Sequence, residues 1–301
     1  LSPFIAHSYT AGDGTDIVYE VGGPIDAPVI VLCDGVGCEG YIWRYMLPGL
    51  TAQYRVIHPF YRGHGPSEDP SDMDRVQIDD LCEDIEGILA QEGVERAATL
   101  GHSMGVQISL ELIHRGLIEI QGAALVCGAF GNPLNTFNGS DFMAKIVPYI
   151  IRGIDRFPGS VRTFWNFAAN TPIAWYVATL TELNPALARK EDFTRYLQRL
   201  GDIDPGLFFR MVKAAGDHTA EPYLADLEIP VLVVAAENDG YTPMNLSEKM
   251  TDLLPQAEMM MVPGASHAAP VEVPGPINAR ILLFLDEVYR SSSSKKSVSA
   301  V

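Results

Sequence analysis

Along the first 130 residues, short apolar runs alternate with longer stretches of helical periodicity, and that alternation restricts the chain to few folds. Val29-Ile30-Val31-Leu32, Arg55-Val56-Ile57, Ala97-Ala98-Thr99-Leu100 and Ala123-Ala124-Leu125-Val126 are apolar at successive positions and end in Gly, Pro or His turns. Strands of that kind are buried on both faces. Between them Ile78, Leu81, Ile85, Ile88 and Leu89 recur at the spacing of one helical face. Strand, helix and strand in succession require a crossover, so the pattern predicts an α/β protein with a mostly parallel sheet and helices on both sides. The opening Phe4 to Val21, broken by Gly12-Asp13-Gly14, predicts a hairpin.

From 131 to 220 the strand signal stops and aromatic-rich helical stretches take over, which predicts an insertion. Strand and helix resume with Pro230-Val231-Leu232-Val233-Val234, Met244 to Leu254, Met259-Met260-Met261-Val262 and Ile277 to Tyr289. The expected organisation is a core of residues 1–130 and 221–290, a helical cap of 131–220, and a disordered tail, Ser291 to Val301, with six serines and two lysines.

Charge narrows the function. The 301 residues carry a net charge of −17, which repels phosphate backbones and anionic headgroups and argues against nucleic-acid or membrane-surface binding. No apolar run approaches the roughly 20 residues that span a bilayer. The charge is uneven: residues 131–220 hold ten basic and eight acidic side chains, and 14 of the 27 aromatics fall in Phe130 to Phe209. Such a cap is expected to admit apolar, uncharged molecules. Cys33, Cys38, Cys82 and Cys127 have no C-x-x-C spacing and read as buried thiols in a reducing compartment, hence a cytoplasmic location. The chain starts at Leu1 without an initiator Met, which leaves a removed leader open, although the residues present carry no leader signal. Acids crowd positions 68–95 without the spacing of a calcium loop, so a solvated helix face is expected there and no metal site. The Met259 to Met261 run reads as core strand.

Thr99-Leu100-Gly101-His102-Ser103-Met104-Gly105 joins a predicted strand to a predicted helix and fits G-x-S-x-G. A turn that tight forces an unusual backbone on its middle residue and leaves the Ser103 hydroxyl exposed above the strand end. A serine hydroxyl needs a base to become a nucleophile, and histidine accepts and returns a proton near neutral pH. Of seven histidines, His267 in Pro263-Gly264-Ala265-Ser266-His267 follows the last strand-like run and so lies at the sheet edge that Ser103 occupies. His64 lies in a turn, His102 points elsewhere beside the nucleophile, and His58, His114 and His218 read as packing, surface or cap residues. The imidazole needs a carboxylate to fix its tautomer, and Asp239, after the strand at 230–235, is assigned, with Glu237 as its rival. The oxyanion requires two backbone donors. Met104 N–H is one; the other comes from Asp34-Gly35-Val36-Gly37-Cys38, where Val36 is preferred to Gly37.

With these residues in place, the chain resembles the α/β-hydrolase fold proteins of the helical-capped kind over roughly residues 4 to 290. Gly35, Arg62-Gly63-His64-Gly65-Pro66-Ser67, Gly101 to Gly105, Asp239 with Thr242-Pro243, and Gly264 to His267 carry the likeness. It implies a mostly parallel eight-stranded sheet flanked by helices, a serine esterase with the triad Ser103, Asp239 and His267 and the oxyanion hole Val36 and Met104, a small-molecule ester substrate, and no cofactor. Two positions depart from the family pattern: Asp34-Gly35 stands where His-Gly is usual, which sets a carboxylate beside the oxyanion loop, and Phe60-Tyr61 precedes Arg62 where Asp is frequent. Relatives that open epoxides or remove halide use Asp at the position of Ser103. Cofactor-free haloperoxidases commonly carry Trp where Val36 stands, and carbon–carbon bond hydrolases an aromatic where Ala268 follows His267. Ester hydrolysis is the expected activity; the alternatives are a lactonase or carbon–carbon bond hydrolase of the same fold, or a non-catalytic ligand-binding member, which Asp34 alone supports.

Overall fold

A strand that is apolar at every position must be covered twice, and the central strands are. In the computed structural model, which describes residues 4–136, 139–181 and 183–299, Ile30 and Leu32 pack on one face of a sheet while Val31 and Cys33 pack on the other. The strands are β1 (Ile5–Thr10), β2 (Asp16–Gly22), β3 (Val29–Cys33), β4 (Arg55–Pro59), β5 (Arg96–His102), β6 (Glu119–Val126), β7 (Val231–Ala236) and β8 (Ala257–Val262). They form one sheet in the order β1-β2-β4-β3-β5-β6-β7-β8. β2 runs antiparallel to β1 and β4, and β3 to β8 are parallel. The expected hairpin is β1 with β2.

The helices are α1 (Leu47–Thr51), α2 (Ile78–Gln91), α3 (Met104–Arg115), α4 (Phe142–Arg156), α5 (Pro158–Ala169), α6 (Pro172–Thr181), α7 (Lys190–Asp202), α8 (Pro205–Asp217), α9 (Met244–Leu253), α10 (Ala269–Glu272) and α11 (Pro274–Ser299). α1 and α11 cover one face of the sheet through Leu50, Ile277, Ile281, Phe284 and Leu285. α2 and α3 cover the other: Ile78, Leu81, Ile85, Ile88 and Leu89 of α2 are buried as their spacing predicts, at about 1.5–3 kcal/mol for each side chain. α4 to α8 lie between β6 and β7, within the segment expected as an insertion.

Three expectations change. The acids of α2 are not all solvated: Asp80, Asp84 and Glu86 are buried. Arg62, 1% exposed, forks onto Asp84 at 2.6 and 2.7 Å and also binds Asp13; Arg115 forks onto Glu86 at 2.9 and 3.0 Å. Met259 and Met261 are exposed, because β8 is the sheet edge and the face they point to is left open. The segment expected as a tail continues α11 through Ser299, where no Gly or Pro interrupts the helix; Ala300 and Val301 lie outside the described residues.

Asp34, the residue after β3, commits its carboxylate to the far end of the loop that follows and to β4. Oδ1 accepts from the Trp43 indole N–H at 2.7 Å, and Oδ2 accepts from Gly40 N–H at 2.6 Å and faces His58 Nε2 at 2.9 Å. Burial pushes the Asp34 pKa up, but the attraction of His58 and the three donors outweigh it and hold it below the ordinary value. Burial pushes His58 down, and Asp34, with Glu20 and Glu39 farther off, raises it above its ordinary value. Through His58 the pair stabilises the fold fully below about pH 6.5, and that is lost as pH rises through the higher folded-state value. Through Asp34 it stabilises above about pH 3.9, and that is lost as pH falls through the lower folded-state value. The thermal midpoint of His58→Gln is therefore expected to lie furthest below wild type between about pH 4 and 6.5 and to converge on it in alkali. An offset that does not vary with pH contradicts a charged pair.

Candidate active site

β5 ends at His102 and α3 starts at Met104, so the turn between them is one residue, Ser103, at φ 55° and ψ −119°. Holding a non-glycine residue there costs about 1–3 kcal/mol, and the close approach of β3, β5 and α3 enforces it. A Cβ on Gly105 would lie 1.9 Å from the Cys33 carbonyl oxygen, and one on Gly101 2.3 Å from the Gly105 carbonyl oxygen. Only glycine at both positions lets the elements close around the serine.

The loops after β7 and β8 bring Asp239 and His267 to the same edge. His267 Nε2 lies 3.0 Å from Ser103 Oγ, and Nδ1 lies 2.9 and 3.1 Å from the two Asp239 oxygens. Asp239 Oδ1 accepts from Tyr241 and Thr242 N–H at 2.9 Å each, and Oδ2 from the Thr242 hydroxyl at 2.8 Å. Burial alone raises the Asp239 pKa, but His267 and the Thr242 donors more than offset it and hold the carboxyl below its ordinary value. An ionised carboxylate only accepts, so Nδ1 carries the ring proton and Nε2 is left to accept from the Ser103 hydroxyl. Glu237, the rival carboxylate, is exposed and accepts instead from Gly264 N–H at 2.8 Å.

Val36 and Met104 both line the cavity beside Ser103, and among the described residues no acceptor takes the N–H of either. Gly37 N–H is already committed: it donates to His64 Nε2 at 3.1 Å, while His64 Nδ1–H donates to the Arg62 carbonyl at 3.0 Å. That bond separates Val36 from Gly37. Burial lowers the His64 pKa and keeps the ring neutral, as an acceptor must be. Asp84 fixes Arg62, whose backbone fixes His64, which fixes the Gly37 peptide and so the aim of Val36 N–H. If Val36 N–H receives an oxyanion, His64→Ala is expected to lower kcat about 10- to 100-fold with little change in KM, since a misaimed donor then acts on the transition state alone. Partial recovery in His64→Gln, whose amide can still accept, checks it; a rise in KM at constant kcat contradicts it.

Two further supports leave no local signal in the sequence. His102 Nε2–H donates to the His267 carbonyl at 3.0 Å, and burial, with His267 adding to it, lowers the His102 pKa to about 3, so it stays a neutral prop. Glu272 accepts from Ser266 N–H at 2.7 Å, the Ser266 hydroxyl at 2.6 Å and Asn184 N–H at 2.6 Å. It fastens the His267 loop to the segment between α6 and α7.

Above Ser103 lies a cavity of about 600 Å³ whose walls come from α4 to α8, including Met143, Trp165, Val177, Leu197, Leu200 and Phe208. Two other cavities, of about 210 and 430 Å³, contain none of the residues just described. Among the described residues no group of three or more His, Cys, Asp or Glu could hold a metal ion, and the four cysteines are buried, as expected.

Among curated proteins, the chain is 28% identical over 243 residues to the magnesium-chelatase 30 kDa subunit of Rhodobacter capsulatus, covering 80% of this chain and 81% of that one. It is 25% identical over 266 residues to 3-oxoadipate enol-lactonase 1 of Acinetobacter baylyi, covering 88% and 91%. Among solved structures, the enol-lactonase of Burkholderia xenovorans superposes with a TM-score of 0.71 at 21% identity, over 93% of this chain and all of that one. A thermophilic esterase of Thermogutta terrifontis gives 0.74 at 18%, over 95% and 99%. At such identities the structural likeness is one of fold. The profile of the alpha/beta hydrolase fold family matches residues 28–274, which include Ser103, Asp239 and His267, and the chain belongs to that family.

Proposed function

We propose that this chain is a serine hydrolase that cleaves uncharged carboxylic esters through an acyl-enzyme on Ser103. The observation that carries the reading is the continuous relay from Ser103 Oγ through the His267 ring to Asp239, at 3.0 and 2.9 Å. His267 Nε2 takes the hydroxyl proton as Oγ attacks the carbonyl carbon, and Val36 and Met104 N–H receive the oxyanion. Collapse expels the alcohol, which leaves with the proton from Nε2. Water, deprotonated by the same nitrogen, then releases the acid and restores the serine. α4 to α8 act as a cap, and the apolar walls of their cavity favour an uncharged, apolar ester of drug-like size.

A lactone is a cyclic ester and follows the same steps. The relative named as an enol-lactonase favours including lactones among the substrates. A relative named epoxide hydrolase A, 26% identical, is also known from Mycobacterium tuberculosis, but serine at position 103 cannot supply the carboxylate nucleophile that epoxide opening uses in such enzymes.

The test is pre-steady-state mixing with a short-chain p-nitrophenyl ester. A burst of p-nitrophenol equivalent to the protein, and covalent labelling by a fluorophosphonate, are expected in wild type and absent in Ser103→Ala. A wild-type protein with neither burst nor label overturns the reading.

A further inference from the structure

Among the described residues, the large aromatic side chains left exposed are Phe142, Tyr149, Phe157, Phe164, Phe167 and Tyr176, and all six fall on or beside α4 to α6. Phe164 is 70% exposed. At 100° per residue, Phe142, Lys145, Tyr149, Arg152 and Arg156 share one stripe about 80° wide along α4; the opposite side carries the buried Val147 and Ile154. Phe164 and Phe167 share a face of α5 by the same geometry, and Phe157 stands at the junction of α4 and α5. The Arg152 guanidinium lies over the Tyr149 ring at 5.2 Å, and that of Arg156 over the Phe157 ring at 5.5 Å.

The charge of these helices opposes that of the whole molecule. Residues 142–181 carry Lys145, Arg152, Arg156 and Arg162 against one acid, Asp155, in a chain of net charge −17. Asp155 is off the stripe, held by Arg210 at 3.0 Å, and Arg162 is held by Asp204 at 3.1 Å. Lys145 meets Asp141 at 2.7 Å, whereas Arg152 and Arg156 make no ion pair among the described residues. The outside of these helices is also continuous with the inside. Val177, 53% exposed, lines the cavity, and Met143, Trp165 and Ala168 from the same helices form its wall.

We propose that α4 to α6 seat the protein on the surface of a phospholipid membrane that carries anionic headgroups, with the mouth of the Ser103 cavity turned toward the bilayer. Aromatic rings interleaved with cations suit that boundary: the rings settle between headgroups and acyl chains while the basic groups meet phosphates. An apolar ester dissolved in the lipid then reaches the cavity without crossing water. A second copy fits less well, because a symmetric pairing of this face sets like charges opposite one another. The net charge of −17 does not prevent docking, since at physiological salt acids more than about 8 Å from the headgroups are largely screened. The protein lies on the membrane in this mode; no helix among the described residues is long and apolar enough to cross one. The proposal rests on the ester-hydrolase reading only for what the cavity takes up, and binding is measured without substrate.

The test is flotation of the whole chain with vesicles of phosphatidylcholine alone and of two parts phosphatidylcholine to one of phosphatidylglycerol, at low and high salt. Wild type is expected to float with the anionic vesicles at low salt and to stay down with phosphatidylcholine alone. Neutralising the stripe in K145Q/R152Q/R156Q is expected to weaken partitioning about a hundredfold, at about fivefold for each basic residue. F164S/F167S is expected to weaken it at least about tenfold. Both variants alter exposed side chains that do not line the cavity, so thermal midpoint and hydrolysis of a water-soluble ester are expected to match wild type. Wild type that stays down with anionic vesicles, or variants that float as wild type does, overturns the proposal. A concentration-dependent dimer in sedimentation, abolished by F164S/F167S, overturns it in favour of a second copy. Flotation as expected from a protein that hydrolyses no ester leaves docking standing and removes the hydrolase reading.

Discussion

Ser103→Ala is expected to lower kcat for a p-nitrophenyl ester about 10⁶-fold, His267→Ala by about as much, and the double replacement by little more than either alone. The 3.0 Å contact between Oγ and Nε2 is the reason. Without the hydroxyl, His267 has no nucleophile to deprotonate; without the imidazole, the hydroxyl keeps its proton and attacks as a weak alcohol. Each loss disables the same step, so the second finds nothing left to remove. The Val36 and Met104 N–H groups and the cavity remain, and a residual rate about 10³-fold above that in water is expected from them. The backbone of the turn is held by the glycines at 101 and 105 rather than by the serine hydroxyl, so the thermal midpoint of Ser103→Ala is expected within about 2 °C of wild type. Losses that multiply in the double variant contradict a shared step, and a single loss below a hundredfold means that the residue takes no part in the chemistry.

The meeting of Ser103, Asp239 and His267 at one sheet edge was legible in the sequence because each follows a strand within a few residues and parallel strands end at one edge. Direction and pairing were not legible. Asp34 reads as a carboxylate beside the oxyanion loop, and only the fold shows it turned inward onto Trp43, Gly40 and His58. Val36 and Gly37 are equivalent as residues until His64, 27 positions away, takes the Gly37 N–H. A signal for His64 existed: it follows β4, and β4 is the parallel neighbour of β3, so the two loops had to be adjacent. Asp84 and Glu86 look like solvent-facing acids on a helix whose apolar spacing is otherwise correct. They are buried because Arg62 and Arg115 arrive from other elements, and a burial set by distant partners leaves no local pattern. Likewise the insertion reads as helical and aromatic, but the side chains that line the cavity and those that face outward have the same composition. Trp165 and Phe164 are neighbours in sequence with opposite surroundings.

Asp239→Asn is expected to lower kcat about 10⁴-fold with the fold intact, for a reason set by the donors around the carboxylate. Two backbone N–H groups, of Tyr241 and Thr242, point at Oδ1. An amide can satisfy them only with its oxygen at that position, since its NH₂ group there would face two donors. The NH₂ is then placed where Oδ2 stood, toward His267 Nδ1 and the Thr242 hydroxyl, both of which lie within 2.9 Å of that atom. Oδ1, 3.1 Å from Nδ1, is already taken by the two backbone N–H groups, so Nδ1 accepts from the nearer NH₂, and the ring proton moves to Nε2 and points at Ser103 Oγ. In that tautomer His267 cannot take the serine proton, and the missing carboxylate no longer stabilises the imidazolium that forms in the transition state. Fluorophosphonate labelling, which requires the same deprotonation, is expected to slow in proportion to kcat, while KM stays near wild type because Asp239 does not line the cavity. Glu237→Gln, at the rival carboxylate, is expected to leave both rates unchanged. A loss of less than tenfold in Asp239→Asn, or an equal loss in Glu237→Gln, contradicts the assignment of Asp239 as the residue that fixes the His267 tautomer.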